Sequence, residues 1–151
     1  MMTKKLYSAF AMLSLVLMLA VISVQAQSRG KIEVNVPFEF SLGNKTLPAG
    51  AYSVRQLSRN SILIESADGQ TRVIAQTPGT AQAGEGERAT QERLVFHQYG
   101  NQYFLAQVWM TRGSDGRELS QSGAERQAAK EQKLASGGAK LKKVEVAASA
   151  R

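Results

Sequence analysis

Residues 34–52 read VNVPFEFSLGNKTLPAGAY, and their pattern decides what kind of chain this is. With Ile32 just upstream, the apolar residues Val34, Val36, Phe38 and Phe40 fall on alternate positions between Glu33, Asn35, Pro37 and Glu39. A period of two is the mark of a half-buried strand. Pro37 has no N–H to give to a ladder, so this strand belongs at a sheet edge or carries a bulge there. Gly43-Asn44 then supplies a two-residue loop with glycine first, the chemistry of a type II′ hairpin turn. Leu47-Pro48-Ala49-Gly50 follows with proline second and glycine fourth, as a type I turn prefers, and predicts a second reversal that launches a strand over 51–57. Gly43, Pro48 and Gly50 are structural residues in this reading, and the stretch is a scaffold rather than an active site.

The same grammar continues downstream. Residues 61–67 and 71–77 flank Asp68-Gly69, a favoured type I′ dipeptide, and are expected to pair antiparallel. Residues 78–91 contain Gly79, Gly84 and Gly86 and almost no large apolar residue. They predict a mobile connection long enough to serve as a contact loop, with Arg88 as its candidate ligand contact. Residues 93–99 and 102–110 surround Gly100-Asn101, another glycine-first loop. That turn sets a register in which Tyr99 faces Gln102, His97 faces Phe104, Phe96 faces Leu105 and Val95 faces Ala106. One face then carries Leu94, Phe96, Tyr103, Leu105 and Trp109, the other Val95, His97, Phe104, Ala106 and Val108. Both are apolar, so the hairpin belongs in the middle of the fold with its second face covered by another sheet, a later helix or a partner. Gly113-Ser114-Asp115-Gly116 reads as a turn.

Taken together, Pro37-Phe38-Glu39-Phe40, Gly43, Leu47-Pro48-Ala49-Gly50 and Tyr52 resemble the opening of an uncharacterised family of small exported β-rich proteins from environmental bacteria. Ser66-Ala67-Asp68-Gly69, Leu94-Val95-Phe96-His97, Tyr99-Gly100, Tyr103-Phe104-Leu105, Trp109 and Gly116-Arg117-Glu118-Leu119 extend the resemblance over residues 32–126. What it implies is a secreted β-rich fold. It brings no assigned activity and no catalytic positions to carry over.

The two ends of the chain differ from its middle. Residues 1–26 have the three parts of a secretory signal: Lys4 and Lys5, an apolar run over 6–24, and small residues at Val24 and Ala26. An uncleaved anchor is the alternative, because the run is long enough to span a bilayer; after cleavage the protein is not expected to be an integral membrane protein. The formal net charge is +7; two of the positive charges lie in residues 1–26, and of the remaining +5 the segment from Arg117 to Arg151 holds +4, with Lys140, Lys142, Lys143 and Arg151 clustered at its end. Ser122 and Glu125 have the spacing of a capping box, which opens a helix over 123–135 that Gly137-Gly138 ends. Residues 136–151 read as a flexible basic tail with room for one short strand at Leu141, Val144 and Val146.

The chain has no cysteine and one histidine, which removes thiol chemistry, disulfides and an obvious zinc ligand set. His97 is the first candidate for acid–base work, yet no nucleophile lies at a recognisable spacing from it. Glu33 and Glu39 share a strand face but are about 20 Å apart at about 3.3 Å per residue, beyond the reach of a glycosidase pair. No cofactor motif is present. Tyr99, at a hairpin end, is the most open aromatic candidate for a ligand contact, with His97 and Arg88 beside it.

These readings converge on an all-β chain, an antiparallel β-sandwich or partly open barrel of six to eight short strands, with a C-terminal helix and a flexible basic tail. The division is a signal over 1–26, a β-domain over 27–122, a helix over 123–135 and a tail over 136–151. The expected function is that of an exported, non-catalytic binding or structural module of the cell envelope or extracellular space. Its partners would be anionic envelope polymers or another envelope protein, without a specific nucleic-acid site. The alternatives are a carrier of small apolar ligands with a barrel cavity, and a hydrolase using His97.

Overall fold

The computed structural model describes residues 30–82, 91–110, 115–138 and 140–149; residues 1–26, expected as a signal, and Arg88 of the expected contact loop lie outside them. The fold is mainly β; the described residues form two facing sheets with one helix and no closed barrel. A four-stranded sheet runs in the order β1 (Lys31–Val36), β4 (Gly50–Ser58), β5 (Ser61–Ser66), β6 (Arg72–Gln76). The larger sheet runs β11 (Lys142–Ala147), β8 (Arg93–Tyr99), β9 (Gln102–Trp109), β10 (Asp115–Glu118), β7 (Gly79–Gln82), and the hairpin of β2 (Phe40–Leu42) and β3 (Lys45–Leu47) joins it through β9. The helix α1 covers Gly123–Ser136. The described residues form eleven strands in place of the expected six to eight, because several reversals are separated by strands of only three or four residues.

Residues 34–52 do the work expected of them with two differences. β1 buries Ile32, Val34 and Val36 and exposes the residues between them, and it lies at the edge of its sheet. Pro37 ends β1 outright, and β2 begins three residues later in the other sheet. Gly43 turns β2 into β3 at φ 60°, and among the described residues no non-glycine residue, Asn44 included, has positive φ, as a type II′ turn requires. The segment Pro48-Ala49 makes no second hairpin: β3 pairs only with β2, and the chain passes from there into β4 of the opposite sheet. The Tyr52 hydroxyl pins this passage by donating to the Pro48 carbonyl at 2.6 Å. Asp68-Gly69 also differs from expectation. Gly69 N–H bonds back to the Ser66 carbonyl at 2.8 Å and only Gly69 has positive φ, so the reversal is a type I turn closed by a glycine bulge rather than a type I′ loop.

The space between the sheets is filled by Phe40, Leu42, Tyr52, Val54, Ile62, Ile64, Leu94, Phe96, Leu105 and Val108 together with the inner residues of β1. Phe40 meets both Tyr52 and Phe96 edge to face, at 5.4 and 5.3 Å between centroids. Phe38 stacks on Tyr103 at 4.0 Å.

The β8–β9 hairpin holds the expected register from Tyr99↔Gln102 to Phe96↔Leu105 and then departs from it. Val95 faces Gln107, not Ala106, because a bulge intervenes. The extra residue exchanges the faces of everything beyond it. Val108 joins Leu94 and Phe96 in the core, whereas Trp109 turns to the outer face with Val95 and Ala81. There the Arg93 guanidinium lies 4.7 Å from the indole centroid, and Gly116 passes beneath the ring. A Cβ on Gly116 would stand 2.6 Å from Trp109 Cε2. Gly116 is therefore a strand residue opposite Ala81 and not part of a turn; its lack of a side chain makes room for the indole.

The C-terminal segment corrects the largest expectation. Residues 142–147 are not a flexible tail but the edge strand β11, paired with β8 over six positions from Lys142↔Gln98 to Ala147↔Arg93. Val144 and Val146 pack on the core. Beyond it, Ala148 bridges to Val34 and Ser149 N–H donates to the Glu33 carbonyl at 2.7 Å, so the end of the chain ties the two sheets together.

Candidate functional site

The outer face of β8 and β9 is covered where α1 crosses it. Ser122 caps the helix, its hydroxyl accepting from the Glu125 N–H at 3.1 Å, and Gly137 ends it at φ 61°. Ala128 and Ala129 give the helix a shallow apolar side, too small to hold a helix alone, while Ala124 is exposed. Ala128 is buried against Tyr99 and Phe104, with Ala129 and Leu141 at the margin. Glu125, one turn earlier on the same stripe, is 3 % exposed.

That buried carboxylate meets the only histidine. Glu125 Oε1 accepts from His97 Nδ1 at 2.7 Å and from the Tyr99 hydroxyl at 3.4 Å. The first turn of α1 adds the positive end of the helix dipole. Burial raises the Tyr99 hydroxyl above its ordinary pKa, and the Glu125 charge and hydrogen bond push the same way. The sequence places Glu125 in a capping box, with no sign that its carboxylate faces β8. The available signal was the coincidence of one histidine and an acidic first turn on elements that must pack together.

The arrangement orients an imidazole through Nδ1, which is half of what acid–base catalysis needs. Among the described residues no serine or threonine hydroxyl hydrogen-bonds to His97. His97 and Tyr99 are both enclosed, and Tyr99, expected to be open, is 9 % exposed. The three side chains therefore act together as the fastening of α1 to the sheet.

The helix leaves the sheet beyond Ala128, and a groove of about 650 Å³ opens between it and the end of the β8–β9 hairpin. Gln98, Asn101 and Gln102 line one wall, Glu131, Gln132 and Ala135 the other, and Tyr99 and Ala128 form the inner end. Gly100, at φ 57°, shapes the hairpin rim. Lys142 reaches the groove from β11. The volume lies in the range of small-ligand sites. Two other grooves, of about 410 and 500 Å³, lie along β1 and β4 and along β6. Of the sequence candidates, Tyr99 borders this groove of about 650 Å³ and His97 is joined to it through Glu125. Gln98 and Gln132, which no motif marked, both line it. Among the described residues no helix is long and apolar enough to cross a membrane, and no cluster of three or more potential metal ligands occurs.

Comparison with known proteins found no matching family model, no matching curated protein and no matching solved structure.

Proposed function

We propose that the chain is an exported, non-catalytic binding module of the cell envelope or extracellular space, and that its ligand contact is the groove between α1 and the β8–β9 hairpin. The observation that carries this reading is the groove itself. It is built from elements that are each anchored in the fold, it is open, and its lining combines a largely apolar surface with the polar ends of Gln98, Asn101, Gln102, Glu131 and Gln132. The export half rests on the signal-like residues 1–26. The filled interior between the sheets favours a surface groove over a carrier cavity. The enclosure of His97 by Glu125 and α1 favours a fastening over a hydrolytic base.

Ala135 is exposed on the groove wall, so Ala135→Trp fills the groove without touching the core. Retention of the intact chain on cell-envelope material, compared with this variant at low and high salt, tests the proposal. Loss of retention in the variant, with an unchanged circular dichroism spectrum, is the expected result. Equal retention of the two chains would remove the groove from the function.

A further inference from the structure

We infer that the groove takes a neutral, hydroxyl-rich glycan, an assignment that rests on the groove being the ligand site. Its walls carry four side-chain amides, those of Gln98, Asn101, Gln102 and Gln132, against one acid, Glu131, and one base, Lys142. Opposite single charges give no preference for an anion or a cation. Amides, by contrast, offer a donor and an acceptor from one planar group, which matches a hydroxyl that both gives and accepts.

Two of these amides are unfinished. The Gln98 Nε2 donates to the Gly100 carbonyl at 2.9 Å, but the Gln98 Oε1 and the Gln132 Oε1 are buried with no hydrogen-bond partner. An unsatisfied buried acceptor costs about 1–3 kcal/mol. The terminal torsion of glutamine is broad, so the Gln132 amide can swing its oxygen into the groove once a donor is present there, whereas Gln98 does so by exchanging its bond to the Gly100 carbonyl for bonds to the ligand. One such oxygen stands on the hairpin wall and one on the helix wall. A ligand carrying hydroxyl donors on both sides completes both.

A peptide fits less well. Strand addition needs a free edge, and β8 is already paired on one side with β11 and on the other with β9. Side-chain recognition needs apolar or aromatic sockets, and the floor offers only Ala128, Ala135 and the rim of a Tyr99 that is itself buried. A shallow floor of small side chains suits the flat C–H face of a sugar ring.

Calorimetric titration of the intact chain with neutral hexasaccharides of glucose and of N-acetylglucosamine, beside a capped hexaalanine peptide, decides the matter. Saturable binding of at least one hexasaccharide and none of the peptide is expected. Combining Gln98→Leu with Gln132→Leu is expected to weaken that binding about a hundredfold, about tenfold for each lost hydrogen-bonded contact. The substitutions remove two unsatisfied acceptors and one hydrogen bond, that of Gln98 Nε2 to the Gly100 carbonyl, so these effects offset and the urea midpoint of the double variant should stay close to that of the parent, which separates lost binding from lost folding. Binding of the peptide alone, no binding of either hexasaccharide, or undiminished binding by the double variant would each overturn the glycan assignment. If Ala135→Trp abolishes envelope retention while no hexasaccharide binds, the groove stands and the ligand class is wrong. If Ala135→Trp leaves retention intact, the groove itself is wrong.

Discussion

Glu125 occupies the third position of a helix, where a carboxylate normally faces water, and is nevertheless buried. Removing it leaves the His97 N–H and the Tyr99 hydroxyl enclosed without their acceptor. Glu125→Ala should therefore cost about 2–4 kcal/mol, as expected for breaking one member of a buried polar group. Glu125→Gln should cost about half as much, because the amide oxygen still accepts from His97. Urea unfolding of the two variants, followed by circular dichroism, measures both. A second residue carries a comparable constraint for a different reason. Gly116 has the Trp109 indole where a Cβ would go, and a rigid ring enclosed on its other side cannot move aside cheaply. Gly116→Ala should lower stability by about 1–3 kcal/mol, read as a shift of the urea midpoint. Neither role is visible in the sequence: Glu125 reads as a cap and Gly116 as a turn residue, because local spacing reports backbone chemistry and says nothing of what packs on it from a distant strand.

At the scale of elements, the legible parts were those in which one residue sets the local geometry. Gly43 and Gly100 mark two-residue loops, Pro37 marks its strand as one at a sheet edge, and the register of β8 on β9 follows from the turn for four pairs. It fails at Val95, where the bulge enters. Both Val108 and Trp109 are apolar, so alternation cannot choose which one turns inward. The choice is made by partners far along the chain: Gly116 opens space for the indole outside, and Arg93 covers it. The last strand stayed only an option within a basic tail for a related reason. Val144 and Val146 alternate as a strand should, but the lysines around them dominate the composition and suggest a solvated tail. On an edge strand those lysines have a structural use, since charge at a free edge discourages pairing with another chain. Truncation after residue 139 distinguishes the two descriptions. A dispensable tail predicts no change in thermal midpoint. The strand predicts a large loss of stability or failure to fold, because β8 would lose its ladder along one edge and the tie between the sheets at Val34 and Glu33 would go with it.

Over the whole molecule, the division into a β-domain, a helix and a tail gives way to a sandwich in which the C-terminal third builds the candidate site. The helix is one wall of the groove, the β8–β9 hairpin is the other, and β11 contributes Lys142. The fold class was legible because strand alternation and glycine turns recur along the chain. The groove was not, because it exists only where α1 departs from the sheet, and that departure depends on one buried fastening at Glu125 and one small contact at Ala128. A binding surface of this kind has no motif: its amides are ordinary surface residues until the fold brings two walls together. The loop that the sequence nominates for contact competes directly with it. Hydrogen exchange of the intact chain with and without solubilised cell-envelope fragments settles which surface is used. The groove account predicts slowed exchange on ligand addition over residues 98–102 and 128–136. Slowed exchange confined to residues 83–91, with the hairpin end and helix unchanged, would contradict it.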